Sequence, residues 1–487
     1  MDKEPLRVRR TKERFPPEPS RVITKPYLPG GEARVRSVIH RVLGLTEEEV
    51  NHALEQVIAD FSGRHKNIWQ IFGRSYENVR QYVPEDVTLS DERRRLIGAY
   101  FTHEYSVQAA AFFNPSIVVH PDQGRLEQGG VRVILSFRAT GEGHISSIEF
   151  RGGVLGPDNE LRLDPVTPFA ESPEVIENPT YDRYVFQLKL ADMAADNDVS
   201  GEILQHLPGR FTRSDLEAQI QRVLDRSCAA RPSLHDTIDK MRWLARSNYE
   251  LRFRRDRTIS ERVIFPVSEN ESRGVEDARF VRFVDDDGEV TYYATYTAYN
   301  GFDILPMLLE TRDFVDFRIR TLNGRAVQNK GMALFPRRIQ GKYAMISRQD
   351  GENLFIMFSD NIHFWHEARV LHQPRYPWEF VQVGNCGSPI ETEQGWILLT
   401  HGVGPMRRYC IGACLLDRHE PERVLGQLAE PLLIPNEEER DGYVPNVLYT
   451  CGALVHNGEL IIPYSMSDSA SGVAAVGVAD LVGRMLE

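Results

Sequence analysis

Apolar residues along this chain follow two different periods, and the period changes near residue 112. In residues 31–108 they recur at helical spacing, and Thr46 with Glu49 forms a capping box that opens one of the helices. After residue 112 they come in short runs such as Ile117-Val118-Val119, separated by Gly and Asp, which is typical of β-strands. The pattern predicts an N-terminal helical region followed by a mainly β fold. The apolar positions at helical spacing are Val50, Leu54, Val57 and Phe61.

The chain divides into segments that differ in composition and in the periodicity of their apolar residues. Residues 1–30 are rich in proline and charge and are expected to form an extended arm, followed by the helical region at residues 31–108. The β pattern covers residues 109–487, and a helical insertion interrupts it around residues 165–245. The N-terminal helices are the expected assembly element of a homo-oligomer, because an extended arm could reach another subunit.

The β region repeats a unit of a strand, a turn and a second strand. Three such units contain the turns Gln340-Gly341, Gln394-Gly395 and Asn457-Gly458, and they begin about 55 residues apart. This spacing suits the four-stranded blades of a β-propeller, and the β residues suffice for five or six blades. A pair of packed sheets in a β-sandwich is the alternative, although sandwiches rarely keep so regular a spacing.

Composition excludes several classes of function. The chain has 487 residues and a formal charge of −12, which disfavours nonspecific binding to nucleic acid. No run approaches the roughly 18 apolar residues that span a membrane. The five cysteines lack a matching set of ligands at zinc spacing, so free thiols, no metal and a reducing, cytoplasmic location are expected.

The segment from Gly274 to Arg279 places two carboxylates, Glu276 and Asp277, and an arginine inside a sequence that otherwise predicts a strand. Buried charges are costly unless they are paired or line a cavity. From these six residues alone, a structural ion pair and a functional site are about equally plausible.

Five stretches in order give the chain its resemblance to glycoside hydrolase family 130, whose members cleave β-mannosides on a five-bladed propeller. The resemblance covers residues 110–487 except the helical insertion, and the N-terminal helices lie outside it. The five stretches are Phe113–Ser116 with Arg138, Gly274–Arg279, Lys330–Arg348, Gly384–Ile390 with His401-Gly402, and Val444–Val447 with Pro463–Asp468.

The resemblance implies that Asp277 is the general acid, with its proton passing through a hydroxyl of the bound mannose. Glu276 is interpreted as an ion-pair residue. An acid that works near neutral pH needs a raised pKa, so the sequence predicts an un-ionised Asp277 despite the neighbouring Arg279. The residues that the resemblance assigns to the sugar are Asn114, Arg138, Arg279 and Asp468.

The resemblance also implies a phosphate site, in which phosphate attacks the anomeric carbon. Phosphorylases of the family have a lysine nineteen residues before the position of His401, whereas this chain has the uncharged Gln382. Ala278 replaces the usual proline of the Asp277 motif. No metal or organic cofactor is implied. The predicted phosphate ligands are Lys330, Arg348, Gln382, His401 and Tyr409.

The function predicted is therefore inverting phosphorolysis of β-1,2- or β-1,4-linked manno-oligosaccharides to mannose 1-phosphate. An inverting β-mannosidase is the alternative, with Glu391 or Asp441 as candidate bases. A third hypothesis is that the protein is a non-catalytic, carbohydrate-binding propeller. The aromatic candidates for stacking on sugar, each of which could equally belong to the core, are Tyr299, Trp365, Trp378 and Tyr443.

Overall fold

The structure is a computed structural model that describes residues 6–176, 179–226 and 233–487. Its N-terminal part consists of two strands, four helices and a third strand. These elements are β1 (Arg9–Phe15), β2 (Val22–Pro26), α1 (Glu32–Leu43), α2 (Glu47–Phe61), α3 (Ile68–Val79), α4 (Asp91–Tyr100) and β3 (Thr102–Ser106).

The predicted capping box is present at the start of α2. The Thr46 hydroxyl accepts a hydrogen bond from the Glu49 backbone N–H at 3.2 Å, and the Glu49 carboxylate accepts one from the Thr46 N–H at 2.7 Å. Two backbone donors at the helix start are thereby satisfied. The four helices bury an apolar core of their own that includes Val50, Leu54 and Phe72.

The remaining strands and helices follow in chain order. The first strands of the β region are β4 (Ala111–Val119), β5 (Val131–Thr140), β6 (Ser146–Leu155) and β7 (Leu161–Leu163). A mostly helical segment contains β8 (Glu174–Val175), β9 (Thr180–Asp182), α5 (Arg183–Asp192), α6 (Asp198–Leu204), β10 (Arg210–Thr212), α7 (Arg213–Arg226) and α8 (Leu234–Ser247). After it come β11 (Tyr249–Arg252), β12 (Val263–Ile264), β13 (Gly274–Val284), β14 (Val290–Tyr299), β15 (Ile304–Thr311) and β16 (Asp316–Thr321).

The C-terminal third is almost entirely β. Its elements are β17 (Ala333–Leu334), β18 (Tyr343–Ser347), β19 (Leu354–Ser359), β20 (Arg369–His372), β21 (Gln382–Asn385), β22 (Ile390–Glu391), β23 (Trp396–Val403), β24 (Tyr409–Leu416), β25 (Val424–Gln427), β26 (Leu448–Tyr449), β27 (Leu454–His456), β28 (Glu459–Met466), β29 (Ala470–Gly477) and α9 (Val478–Leu486).

These strands form consecutive antiparallel sheets, so the architecture is mainly β. β4–β5–β6 and β13–β14–β15–β16 belong to one large sheet, because Gly274 of β13 pairs in parallel with Ser146 of β6. β17–β20 form a four-stranded sheet, and β21–β25 a five-stranded one. β1 joins β26–β29 in the last sheet.

The N-terminal residues predicted as an extended arm pair within this chain. β1 runs antiparallel to β29, and β2 pairs with β3. The first and last strands of the described chain therefore lie side by side. Asn457 and Gly458 both have positive φ between β27 and β28, as expected for the tight hairpin turn that this dipeptide predicts.

A buried ion pair fastens the N-terminal segment to the β region. Arg21 donates through Nε to the Glu149 carboxylate of β6 at 3.1 Å, and both side chains are almost fully buried. Gln108 donates to both oxygens of the same carboxylate at 3.0 and 2.9 Å. Removing one partner of a buried pair is costly because the other charge is left without compensation.

We therefore expect Arg21→Met to lower the free energy of unfolding by up to about 3–5 kcal/mol, since Glu149 would remain buried with only the longer contact to Arg151, at 3.7 Å, as an ion pair. Arg9→Met is the matched control, because Arg9 pairs with Glu459 at 2.9 Å at an exposed position. An exposed pair contributes less than about 1 kcal/mol. Chemical denaturation of both variants measures the difference, and equal effects would contradict this account.

Candidate active site

Three of the predicted site residues have left-handed backbone conformations. The φ angles of Asn114, Asp277 and Asp468 are 47°, 55° and 51°. Asn114 and Asp277 lie at register shifts in β4 and β13, and Asp468 lies in the turn between β28 and β29. Asn and Asp adopt this conformation more readily than most residues. A bulge redirects the side chain it contains, which accounts for polar groups meeting at strands that are otherwise apolar.

The Asp277 carboxylate is held by two predicted sugar-binding residues. Asn114 donates through Nδ2 to Asp277 Oδ1 at 2.7 Å, and Arg138 donates through Nη1 to the same oxygen at 3.3 Å. Ser465 fixes the Asn114 amide by donating to its oxygen at 2.9 Å. Ser146 accepts from Arg138 Nε at 2.9 Å. The carboxylate position is thus set by side chains from two strands, β4 and β5, which are themselves held by serines of β6 and β28.

Glu276 is an ion-pair residue, as its sequence context suggested. Arg138 Nη2 donates to Glu276 Oε1 at 2.7 Å, and Lys330 Nζ lies 3.4 Å from Glu276 Oε2. Glu276 therefore joins Lys330, a predicted phosphate ligand, to the group around Asp277.

Arg279 lies behind the Asp277 carboxylate and does not contact it. Its guanidinium donates to the backbone oxygen of Asp277 at 2.9 Å, to the backbone oxygen of Cys386 at 2.8 Å and to the Tyr449 hydroxyl at 2.7 Å. Only 2% of Arg279 is exposed. All three guanidinium nitrogens are used within the protein, so Arg279 fastens the bulge of β13 to two other sheets.

The other predicted phosphate ligands form a second group, on β21, β23 and β24 and directly after β18. Arg348 Nη1 lies 3.1 Å from His401 Nε2. The Gln382 amide oxygen lies 3.2 Å from the same His401 atom and accepts a hydrogen bond from Arg348 Nη1, and its amide nitrogen donates to the Gly351 carbonyl at 3.1 Å. The Tyr409 ring stacks on the His401 ring with centroids 5.9 Å apart. The Tyr449 ring lies 4.8 Å from that of His401. Since Tyr449 also bonds Arg279, it connects this basic group to Asp277.

Four buried polar atoms in and beside this basic group have no hydrogen-bond partner within the described part of the chain. They are Arg348 Nε, His401 Nδ1 and both amide atoms of Asn385, which follows Gly384 opposite His401 in the sheet. Buried polar groups are nearly always paired, so unpaired donors beside an arginine are a feature expected of an anion site.

The predicted raised pKa of Asp277 is wrong for the ligand-free site. Burial raises the pKa of this carboxyl, but the charges of Arg138 and Arg279, with the hydrogen bond from Asn114, outweigh burial and lower the pKa to about 2. Burial and the charge of Arg348 hold the pKa of His401 well below 6.5, so this imidazole is neutral at neutral pH. His401 therefore adds hydrogen-bonding capacity to the basic group and no charge.

The carboxyl group with a raised pKa is that of Asp468. Burial and the nearby Asp277 carboxylate raise its pKa to about 6, against the charges of Arg138 and Arg407. Arg407 was missed by the sequence reasoning. It follows Met406, the two have φ angles of 54° and 59°, and its guanidinium lies 5.9 Å from the centre of the Tyr409 ring. A strained hairpin therefore brings a further cation towards the site.

Several other candidates lie elsewhere. Glu391 is held by Arg337 at 2.6 and 2.9 Å, and the hydrogen bond from Arg337 lowers its pKa, which makes it unsuitable as a base. Trp365 and Trp378 are buried in the core. The residues that sequence reasoning missed are Ser146, Arg407, Tyr449 and Ser465, none of which has a local sequence signal beyond lying near a quoted motif.

A carboxylate held by an amide and an arginine, beside a separate basic group, can bind sugar hydroxyls and an anion together. The fold and the site thus define a mainly β protein with a site of the kind found in carbohydrate-active enzymes. A family model described as β-1,4-mannooligosaccharide phosphorylase matches residues 251–487. The chain belongs to this family, glycoside hydrolase family 130.

The chain is similar to several mannoside phosphorylases. The 1,2-β-oligomannan phosphorylase of Thermoanaerobacter sp. (strain X514) is 34% identical over 221 residues, which cover 44% of this chain and 72% of that protein. The β-1,2-mannobiose phosphorylase of Listeria innocua is 26% identical over 377 residues, 74% of this chain and 98% of that protein. The crystal structure of a Listeria innocua β-1,2-mannobiose phosphorylase with β-1,2-mannobiose aligns over 77% of this chain and 92% of that chain, with 21% identity and a TM-score of 0.47. In the described part of this chain, no helix is long and apolar enough to cross a membrane.

The raised pKa of Asp468 predicts how the stability of the folded chain depends on pH. Its carboxyl binds a proton more tightly in the folded chain, at about 6, than at the ordinary value of 3.8. Ionising Asp468 above pH 6 therefore costs the folded state up to about 3 kcal/mol, and this cost disappears as the pH falls through 6 towards 3.8.

Asp468→Asn is accordingly expected to raise the melting temperature at pH 8 and to leave it nearly unchanged at pH 4.5. Thermal unfolding at the two pH values measures this. A variant less stable than wild type at pH 8 would contradict the assigned environment of Asp468.

Proposed function

We propose that this protein is an inverting β-mannoside phosphorylase, which cleaves β-1,2- or β-1,4-linked manno-oligosaccharides with inorganic phosphate and releases mannose 1-phosphate. The main observation in support of the proposal is that the group around Asp277 and the basic group are connected. Asp277 lies on one side, the basic group of Arg348 and His401 on the other, and Arg279 with Tyr449 connects them. The proposal requires no cofactor besides phosphate as co-substrate.

In this proposal Asn114, Arg138 and Asp468 hold the hydroxyls of the mannose at the non-reducing end. Amide and carboxylate groups suit a pyranose because each hydroxyl both donates and accepts hydrogen bonds. Phosphate binds at Lys330, Arg348, Gln382, His401 and Tyr409. Its attack on the anomeric carbon, from the face opposite the departing oxygen, inverts the configuration.

The low pKa of Asp277 in the free site gives phosphate a second role. The cations that lower this pKa are Arg138, Arg279 and Lys330, and Lys330 is also a proposed phosphate ligand. A bound phosphate dianion offsets their charge, and a bound sugar excludes water, and both effects raise the pKa of the carboxyl. Asp277 would thus become a competent acid only when both substrates are present.

We also propose that the sheets are the blades of a five-bladed propeller within residues 109–487. The large sheet would contribute two blades, β4–β7 and β13–β16, and the sheets β17–β20, β21–β25 and β26–β29 would contribute the other three. The polar bulges, Lys330 and the basic group then come from successive blades around one centre. The helical insertion and N-terminal helices would lie outside this ring.

Hydrolysis is the alternative reaction, and it needs a base to activate water. Glu391 is occupied by Arg337 and Arg418, and Asp441 is exposed. The arrangement of carboxylates therefore favours phosphorolysis.

Incubation with β-1,2- and β-1,4-mannobiose, with and without phosphate, tests the proposal directly. Mannose 1-phosphate formed only when phosphate is present is the expected product, and the preferred disaccharide identifies the linkage. Free mannose released at the same rate without phosphate would assign the protein to the hydrolases instead.

Asp277→Asn is expected to lower kcat for phosphorolysis by a factor of about 10²–10⁴, the usual contribution of general acid catalysis. The amide keeps the shape of the side chain but has no proton of suitable acidity. The matched control is Asp285→Asn, just beyond the other end of β13, where the carboxylate pairs with Arg338 at 2.7 Å. Steady-state rates of mannose 1-phosphate formation compare the two, and an active Asp277 variant would exclude this residue as the acid.

Gln382→Lys is expected to lower the KM for phosphate by about threefold to tenfold, the effect of one added charge-assisted hydrogen bond. A lysine beside Arg348 is repelled in the free enzyme, and a phosphate dianion relieves that repulsion. Gln382→Met, of similar length but uncharged, is the control and should not lower this KM. Equal effects of the two substitutions would argue against a phosphate site at this position.

A further inference from the structure

Of the four aromatic residues that the sequence offers for stacking on sugar, only Tyr443 has a largely exposed ring. Trp365 and Trp378 are buried, and Tyr299 is half-buried, with its hydroxyl bonded to the Gly301 carbonyl at 3.0 Å. Tyr443 is 67% exposed. Its ring lies against the ring of another exposed residue, His144, with centroids 5.4 Å apart and planes inclined by 31°. We refer to Tyr443 and His144 as the rim pair.

The rim pair lies on two loops that neighbour sugar-binding candidates. His144 lies in the hairpin between β5 and β6, between Arg138 and Ser146, which bond each other. Tyr443 precedes Val444, whose backbone N–H donates to the Ser467 carbonyl at 3.1 Å, next to Asp468. The two rings therefore join the β5–β6 hairpin to the loop before β26, which is hydrogen-bonded to the Asp468 turn.

The loop of Tyr443 is held closely in place. A Cβ atom at Gly442 would lie 2.3 Å from the Ser467 carbonyl oxygen, so only glycine allows this approach. Ser467 N–H also donates to the Val447 carbonyl at 2.7 Å. An exposed aromatic ring on a fixed loop presents apolar area at little cost in conformational freedom.

The position of the rim pair matches the side on which the leaving sugar lies in the proposed reaction. In an inverting displacement the nucleophile and the leaving group occupy opposite faces of the reacting carbon. The basic group lies on β21, β23 and β24 and directly after β18, whereas the rim pair belongs to the β5–β6 hairpin and to the loop before β26 of the last sheet. The leaving sugar has to depart on the side away from phosphate, and pyranose rings pack their C–H faces on aromatic rings.

We propose that Tyr443 and His144 form a platform for the sugar unit on the leaving-group side of the scissile bond, and thereby set the preference for acceptor and chain length. This inference rests on the proposed function, because it assigns the mannosyl group to Asp277 and phosphate to the basic group. The occupant is a neutral pyranose of the oligosaccharide chain. Nothing in the platform contacts the reacting atoms, so it acts on affinity and leaves the chemical step alone.

The test uses the reverse reaction, in which mannose 1-phosphate donates mannose to mannobiose. Tyr443→Ala is expected to raise the KM for the acceptor by about twofold to tenfold, the effect of one lost aromatic contact, with kcat and the KM for mannose 1-phosphate unchanged. Tyr443→Phe keeps the ring and should behave as wild type. An unchanged KM for the acceptor, or an equal rise in the KM values for the acceptor and for mannose 1-phosphate, would refute the proposed platform.

The matched control is Tyr27→Ala. Tyr27 is also an exposed tyrosine packed against a histidine, with its ring 5.9 Å from that of His103 of β3, but it lies directly after β2 in the N-terminal segment. Its loss should change neither KM. A rise in acceptor KM for this variant would show that the effect of Tyr443→Ala is general and would also overturn the proposal.

A binding measurement separates this inference from the proposed function. Calorimetry compares β-linked mannotriose binding to Asp277→Asn and to the double variant that adds Tyr443→Ala, so no turnover is needed. A twofold to tenfold weaker affinity of the double variant supports the platform whichever nucleophile the enzyme uses, and equal affinities refute it. Failure of the proposed function is recognised separately, by a wild-type enzyme that forms no mannose 1-phosphate.

Discussion

The hydrogen bond between Asn114 and Asp277 is the contact on which the rest of the site depends. It joins two β-bulges in different parts of the large sheet, each with a left-handed residue that redirects a polar side chain. Arg138 approaches the same carboxylate and connects it through Glu276 to Lys330. If either bulge returned to a regular strand, the polar side chain would turn to the other face of the sheet, and the group would separate.

This geometry favours the ionised form of Asp277. Asp277 is surrounded by cations that hold its pKa at about 2, and Asp468, close to it, has a pKa raised to about 6. A carboxylate this stable in its ionised form is a poor acid. In the proposed function, the bound substrates must therefore raise the pKa of Asp277. Binding of an anion is thereby linked to activation of the acid. The strain in the Asp468 turn and the cost of its charge are features expected where stability is sacrificed for function.

The helical parts and the β region contribute in different ways. The N-terminal helices and the helical insertion each bury their own apolar core, so they fold around local contacts. The site, in contrast, is assembled only from strands and turns of the β region. Arg21, Glu149 and Gln108 tie the N-terminal segment to β6, and β1 completes the last sheet. The N-terminal residues thus stabilise the β region without reaching the proposed catalytic groups.

The sequence by itself determined the mainly β class, the helical segments and the family, because periodicity, turn dipeptides and ordered motifs are local properties of the chain. It also grouped Asn114, Arg138 and Asp277, since their motifs could be identified one by one. Only the tertiary structure decided the charge state of Asp277, the internal use of Arg279 and the parts played by Tyr449, Arg407 and the rim pair. The physical reason is that a pKa depends on burial and on charges brought close by folding, and partners such as Asn114 and Arg138 lie more than a hundred residues from Asp277 along the chain.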